Sequence, residues 1–194
     1  MRRFGGSAGN EQLTAIAAAV LLPLLVAEGA TLLNLRALLT VHAFVGMLLI
    51  PVVALKVTSA GWRMVRYYRG SEEYVLRGPP QVLIRAVVAP VLVASTLVLF
   101  GTGILLLALG QTHGSVVGLH KASFVVWAGG FGVHLLTRLT LLWRALRARL
   151  PGTSLRLAFA GISLAAGVAV ALPTLPAMDQ LQDNVSGHVG VDAG

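Results

Sequence analysis

The stretch from Gly118 to Arg138, GLHKASFVVWAGGFGVHLLTR, decides the fold that we predict for this chain. It is apolar and long enough to cross a bilayer as a helix, since about 20 residues suffice. It nevertheless contains His120 and His134, which stand fourteen positions apart. Fourteen helical residues rise about 21 Å and leave both imidazoles within roughly 40° of one face. Because an ionisable side chain inside a membrane is costly, this pattern indicates a functional site with a partner on another helix.

A second apolar stretch begins in the same way. His42 opens TVHAFVGMLLIPVVALKVTSA, and Lys56 stands fourteen positions later. We expect this helix to face the His120 helix, with His42 and His120 at one level, because both lie a few residues inside the same end of their helices. Two imidazoles at one level are suited to bind the iron of haem from opposite sides. The sequence therefore predicts that His42 and His120 hold a haem between them.

The composition is that of a membrane protein. Of the 194 residues, 56% are hydrophobic and 11% are charged, whereas soluble domains average about 25% charged residues. The formal charge of +8 does not indicate nucleic acid, because most basic residues flank the apolar stretches, as in loops beside anionic lipid. The absence of cysteine excludes a disulfide frame, thiolate ligation and covalent haem attachment, so histidine must be the main haem ligand.

Hydrophobic segments predict an all-α bundle of five transmembrane helices within one membrane domain, residues 13–175. The expected spans cover residues 13–35, 37–60, 82–109, 117–142 and 155–175. We expect residues 1–12 to be a disordered cytoplasmic N-terminus and residues 176–194 to be a flexible extracytoplasmic tail. Arginines before a short apolar core also resemble a signal peptide, so cleavage of the first helix stays open.

The distribution of arginine predicts the orientation of the bundle. Basic residues concentrate in the second and fourth links between the spans, whereas the third link, QTHGSVVG, has no arginine or lysine. Because arginine and lysine mark cytoplasmic loops, the N-terminus is expected in the cytoplasm and the C-terminus outside. We therefore expect a multi-pass protein of a cytoplasmic membrane.

Two basic residues, Arg36 and Lys121, break this bias at the outer end. Both lie close in sequence to a predicted haem ligand. A haem near the outer surface needs cations for its two propionates, and carboxylates form charge-assisted pairs with arginine and lysine. The alternative is that both side chains extend to lipid headgroups. Gly46, one turn after His42, would let a macrocycle approach the helix.

His134 raises the question of a second, inner haem. Gly130 lies one turn before it, where a flat ring could pack, although glycine there also permits tight helix packing. The residue level with His134 on the second span is Lys56, an uncommon ligand that must first lose its proton. Glu28 on the first span lies nearer the outer histidines, where it either accepts the second N–H of a ligand imidazole or extends to the interface.

The stretch LHKASFVVWAGGFGVHLL, together with VHAFVGMLLIPVVALKVTSAGWRMVRYYRGS and RGPP, resembles small bacterial b-type membrane cytochromes of the cytochrome b/b-six and cytochrome b-561-like group. The resemblance implies haem ligation by His42, His120 and, in a two-haem form, His134. It also implies electron transfer in a respiratory chain between the quinone pool and a partner oxidoreductase, such as an extracytoplasmic molybdopterin enzyme. Lys56 departs from the two-haem pattern, so electron transfer across the whole membrane stays open.

The sequence favours an electron-transfer subunit of an oxidoreductase over a stand-alone enzyme. It contains no phosphate-binding loop, no GxSxG and no HExxH. Two other functions remain compatible with it. One is a haem-free transporter or proton pathway through Glu28, His134 and Lys56, because intramembrane ionisable residues mark such routes. The other is a plain membrane anchor for a partner enzyme.

Overall fold

The computed structural model describes residues 6–76, 78, 82 and 84–191, and these are helical with short links and contain no strand. Within these ranges the seven α-helices are α1 (Gly6–Thr31), α2 (Leu39–Tyr68), α3 (Glu72–Val75), α4 (Ala89–Leu109), α5 (Ser115–Arg147), α6 (Thr153–Ala171) and α7 (Leu175–Val191). A 3-10 turn follows α1 and another follows α6, while a π-helical turn precedes α4.

Within the described residues, five helical segments are long and apolar enough to cross a membrane, as predicted. Many large apolar side chains remain exposed on these segments, as helices in contact with hydrocarbon require. The chain is therefore a multi-pass membrane protein. The segments are Gly6–Asn34, Leu39–Tyr68, Ala86–Leu109, Ser115–Arg147 and Thr153–Ser186.

The helices form two groups. In one group α2 packs against α1 and α6, with a core of Leu21, Leu49 and Val52. A Cβ added at Gly167 of α6 would collide with the main chain of Leu48, so this glycine lets α6 lie directly on α2. In the other group α5 packs mainly against α4. The links that join α1 to α2 and α4 to α5 lie at the same end of the bundle, called here the His42 end; the opposite end is called the Arg138 end.

The start of α1 differs from the prediction of a disordered segment through residue 12. The helix begins at Gly6, while residues 1–5 lie outside the described residues. Gln12 is only 2% exposed, and its amide donates a hydrogen bond to the carbonyl of Ala148. Its oxygen accepts hydrogen bonds from Arg156 and Thr153 of α6. Contacts with distant parts of the chain thus hold this end of α1 in place.

The tail also differs from the flexible segment that was predicted for residues 176–194. Residues Leu175–Val191 form α7, and residues 192–194 lie outside the described residues. Met178 and Leu181 are buried against the beginning of α2. The side-chain oxygen of Gln182 accepts hydrogen bonds from the first main-chain amides of α2. Because the first amides of a helix have no partner within it, α7 stabilises α2 by capping it.

Candidate functional site

A long cavity of about 1240 Å³ separates α2 from α5 and is also lined by α1 and α4. It extends from Arg36 and Leu181 at the His42 end to Glu11 and Arg138 at the Arg138 end, and apolar side chains form most of the wall between. Pockets for drug-sized ligands usually measure about 300–1,000 Å³. This cavity therefore has room for a large, mostly apolar ligand.

The imidazoles of His42 and His120 meet across the cavity near its His42 end. Their ring centroids lie 6.5 Å apart, and the ring planes are nearly perpendicular at 85°. Both side chains line the cavity, one from α2 and the other from α5. The structure thus brings together the two histidines that were expected to lie at one level.

Two groups hold the His42 ring through its Nδ1. The hydroxyl of Thr31 donates its hydrogen to the main-chain carbonyl of Glu28 at 2.5 Å, and the same oxygen lies 2.9 Å from His42 Nδ1. A hydroxyl has one hydrogen, so the imidazole must be the donor in the second bond. Glu28 Oε1 lies 3.1 Å from the same nitrogen. The hydrogen is therefore on Nδ1, and Nε2 carries a lone pair.

The His120 ring is held in the same way from α4. Thr102 donates its hydroxyl hydrogen to the carbonyl of Val98 at 2.7 Å, and its oxygen lies 2.9 Å from His120 Nδ1. His120 is thus also an Nδ1 donor with a lone pair on Nε2. A Cβ added at Gly103 would lie 3.3 Å from Cε1 of this ring. Thr102 and Gly103 were not predicted as site residues, although a polar residue between two glycines in the apolar α4 was a signal.

The separation of the two rings fits a shared metal ion. Metal–nitrogen bonds of about 2 Å, with each ring centre about 1.1 Å beyond its nitrogen, place the two centroids about 6.3 Å apart. Rings in direct edge contact also fall within about 4.5–7 Å. Two Nε2 lone pairs cannot bond to each other, however, and neither has a hydrogen-bonding partner in the described part of the chain. An electron-pair acceptor between the rings would satisfy both.

The described residues contain no group of three or more His, Asp or Glu side chains placed to hold a metal ion. Two imidazoles alone give too few ligands for an iron ion. They suffice when the metal brings four further nitrogens, as iron in a porphyrin does. The residues present therefore fit haem better than a bare ion.

The other predicted residues near this end have different positions. Arg36 and Lys121 are exposed and line the cavity, so both can reach a ligand in it. Gly46 also lines the cavity, where an added Cβ would lie 3.5 Å from Glu28 Oε1. Gly130 instead faces α4, where an added Cβ would lie 3.2 Å from Leu92 Cδ1. This contact shows that Gly130 permits close packing of α5 on α4, while the packing of a flat ring on it stays a prediction.

His134 lines the cavity towards the Arg138 end, where its Nδ1 is buried without a hydrogen-bonding partner. Among the described residues, the cavity wall contains no second imidazole near it. Lys56, which stands at the same level on α2, has its Nζ 3.5 Å from the carbonyl of Thr14. The structure therefore assembles one pair of facing imidazoles, at the His42 end.

Aromatic side chains connect the two histidines of α5 along the cavity wall. The rings of Phe124 and Trp127 have centroids 6.3 Å apart, and those of Trp127 and Phe131 are stacked at 4.9 Å with planes 6° apart. Spacings of four and three residues place all of them on the histidine face of the helix. This aromatic stripe was not predicted, although its spacing is visible in the sequence between His120 and His134.

No protein-family model, curated protein or solved structure matches this chain. Its function is therefore inferred from the cavity and the side chains that line it.

Proposed function

We propose that this chain is a membrane-bound b-type cytochrome subunit that passes electrons, with haem b bound between His42 and His120. One observation supports this more than any other. Two imidazoles on separate membrane helices, each fixed through Nδ1, have centroids 6.5 Å apart and Nε2 lone pairs without a partner. That arrangement suits two imidazoles that would hold one haem iron.

When bound, haem supplies a one-electron redox couple. His42 and His120 would hold its iron through their Nε2 atoms. The hydroxyls of Thr31 and Thr102 fix the orientation of the rings. Such outer hydrogen bonds also raise the basicity of a ligand nitrogen. The Glu28 carboxylate, 3.1 Å from His42 Nδ1, adds to that effect on one of the two rings.

Arg36 and Lys121 are the proposed partners of the haem propionates. Both line the cavity at the His42 end and both are exposed, so their charges are accessible there without a cost of burial. Charge-assisted pairs between carboxylates and these side chains are among the stronger hydrogen bonds in proteins. The apolar wall beyond them would keep water away from the ring.

The proposed electron donor and acceptor are the quinone pool and a partner oxidoreductase, such as an extracytoplasmic molybdopterin enzyme. They rest on the resemblance to small b-type cytochromes and not on a contact in the structure. The placement in a bacterial cytoplasmic membrane has the same basis, together with the arginine bias of the links. A second haem at His134 stays a prediction.

Absorption spectroscopy of the purified protein tests the proposal. Protein from haem-replete cells should show a Soret band and sharp α and β bands on reduction. His42→Ala and His120→Ala should each abolish these bands, whereas His113→Ala, at an exposed position in the α4–α5 link, should keep them. A folded but colourless wild-type protein would refute the proposal, as would full absorption in both cavity variants.

The same measurement counts the haems. His134→Ala should leave the absorption nearly unchanged if the His42–His120 pair holds the one haem. Loss of half the signal, with two haems per wild-type chain, would establish the second site.

A further inference from the structure

Three basic side chains converge on the Arg138 end of the cavity. Lys56 and Arg63 come from α2 and Arg138 comes from α5, and together they are called here the basic cluster. Arg138 interacts electrostatically with both of the others. Because α2 and α5 face each other across the cavity, these like charges are brought together by the fold of the whole bundle and not by spacing along one helix.

The charge of the basic cluster is not balanced by the described residues. Glu11 of α1 is the carboxylate among the described residues that line this end of the cavity. Glu11 interacts electrostatically with Arg138 and so offsets one of the three positive charges. Three cations and one carboxylate leave an excess of two positive charges beside an apolar wall. Like charges repel more strongly in such surroundings than in water, so an anion would stabilise this arrangement.

The depth of the basic cluster identifies the kind of anion. Lys56 stands fourteen residues beyond His42 and Arg138 eighteen residues beyond His120, which correspond to about 21 and 27 Å of helix. The hydrocarbon core of a bilayer is about 30 Å thick. With the two histidines just inside one rim of the core, the cluster lies close to the opposite rim. That is the level of the phosphates of the second leaflet.

The wall next to the basic cluster suits an apolar chain. Trp127 and Phe131 stack on α5 between the basic cluster and the His42–His120 pair, and apolar side chains of both α2 and α5 line the same space. The buried Nδ1 of His134 adds a polar group without a partner on that wall. A ligand that matches these features has an anionic head at the cluster and a hydrocarbon tail in the cavity.

We infer that the Arg138 end of the cavity is a binding site for an anionic phospholipid, whose phosphate contacts Lys56, Arg63 and Arg138. Basic sites between transmembrane helices bind such headgroups in other membrane proteins. The acyl chain would lie along the apolar wall around Trp127, between the basic cluster and the His42–His120 pair. This inference does not depend on the proposed cytochrome function, because none of the three cations contacts the two facing imidazoles.

Native mass spectrometry of the full chain tests this site. The protein is incorporated into nanodiscs that contain phosphatidylglycerol and phosphatidylcholine, and the lipid retained after release is counted. The wild type should retain one phosphatidylglycerol per chain in preference to phosphatidylcholine. Arg138→Gln and Lys56→Gln should each lower this retention about tenfold or more, since each removes a charge-assisted bond to phosphate.

The matched control is Arg144→Gln, which removes the same charge from α5 at an exposed position outside the cavity wall. It should retain phosphatidylglycerol at the wild-type level, and Arg138→Lys should restore most of the loss seen in Arg138→Gln. An equal loss in Arg144→Gln and Arg138→Gln would show ordinary surface attraction and overturn the site. Equal retention of phosphatidylcholine would also overturn it.

Two further measurements distinguish an anionic lipid from two other anionic ligands, inorganic phosphate and a second haem. Inorganic phosphate at millimolar concentration should not displace the lipid, because it lacks the tail; displacement would indicate an anion site without a lipid preference and contradict the inference. Haem absorption is recorded on the same samples. If Arg138→Gln removed half of that absorption, the cluster would serve the propionates of a second haem, and the lipid site would be wrong.

Discussion

Replacing Thr102 with valine removes the group that anchors His120 while keeping the shape of the side chain. The Thr102 hydroxyl accepts the hydrogen of His120 Nδ1 at 2.9 Å and is itself bonded to the carbonyl of Val98. Thr102 is only 8% exposed, so water has little access to the Nδ1–H that the lost hydroxyl would leave. The variant should therefore leave the ring free to turn and its Nδ1–H without a partner.

The size of the effect follows from the bond that is lost. A neutral hydrogen bond contributes about 0.5–1.5 kcal/mol, and a buried donor left without a partner costs about 1–3 kcal/mol. Mutations of the groups that orient metal ligands commonly weaken binding by about 10–100-fold, which corresponds to roughly 1.4–2.7 kcal/mol. We therefore expect Thr102→Val to retain haem about tenfold more weakly than the wild type.

The assay is the transfer of haem from the reduced or oxidised protein to excess apomyoglobin, followed by absorption. Thr96→Val is the matched control, because Thr96 also lies on α4 and its hydroxyl also donates to a main-chain carbonyl of that helix, that of Leu92 at 2.6 Å. Thr102→Ser keeps a hydroxyl and should behave nearly as the wild type. Equal haem loss in Thr102→Val and Thr96→Val would refute the anchoring role, and an unchanged rate in Thr102→Val would refute it as well.

Three further variants test other contacts. Gly103→Val should weaken haem retention tenfold or more because its Cβ would lie 3.3 Å from the neighbouring imidazole, while Gly101→Val, with nothing within 4 Å, should not. Gly167→Val should lower the thermal stability in detergent because it collides with the main chain of α2, and Gly161→Val, in open space on the same helix, should not. Gln12→Leu should destabilise the protein by about 1–3 kcal/mol, since it removes the oxygen that accepts a hydrogen bond from Nη1 of the buried Arg156, and a melting temperature equal to that of the wild type would contradict this.

The five spans were predictable because they depend on local properties of the sequence. A run of about 20 apolar residues identifies a membrane helix wherever its neighbours lie. The common level of His42 and His120 was predictable for a related reason. The order of the spans predicts that α2 and α5 cross the membrane in the same direction, and the rise per residue then gives the depth of each histidine. Even so, the bias in arginine gives only a prediction of which side of the membrane each end faces.

The contacts that were not predicted join residues far apart in the chain. Gln12 meets Arg156 across 144 positions, and Gln182 meets the start of α2 across 143. The polar, glycine-rich composition of residues 1–12 predicts disorder when these distant partners are unknown. The same reason applies to Thr102, which has its role only because α4 and α5 pack closely, and to Gly130, whose neighbour on α4 was not visible in the sequence.

The arrangement of the anchors shows how the fold positions the two rings. His42 on α2 is held by Thr31 and Glu28 of α1, and α1 and α2 form one helical hairpin. His120 on α5 is held by Thr102 of α4, and α4 and α5 form the other hairpin. Each hairpin thus sets the orientation of its own imidazole, and the packing of the two hairpins sets only the distance between them.

This division has a consequence for binding. Because each ring is oriented before the hairpins meet, a ligand between them does not have to order the imidazoles, and less of its binding free energy is spent on fixing side chains. A substitution inside one hairpin should therefore change the orientation of one ring, whereas a substitution where α2 contacts α4 should change the separation of both. The first kind should alter haem affinity alone, and the second should alter haem affinity together with the stability of the bundle.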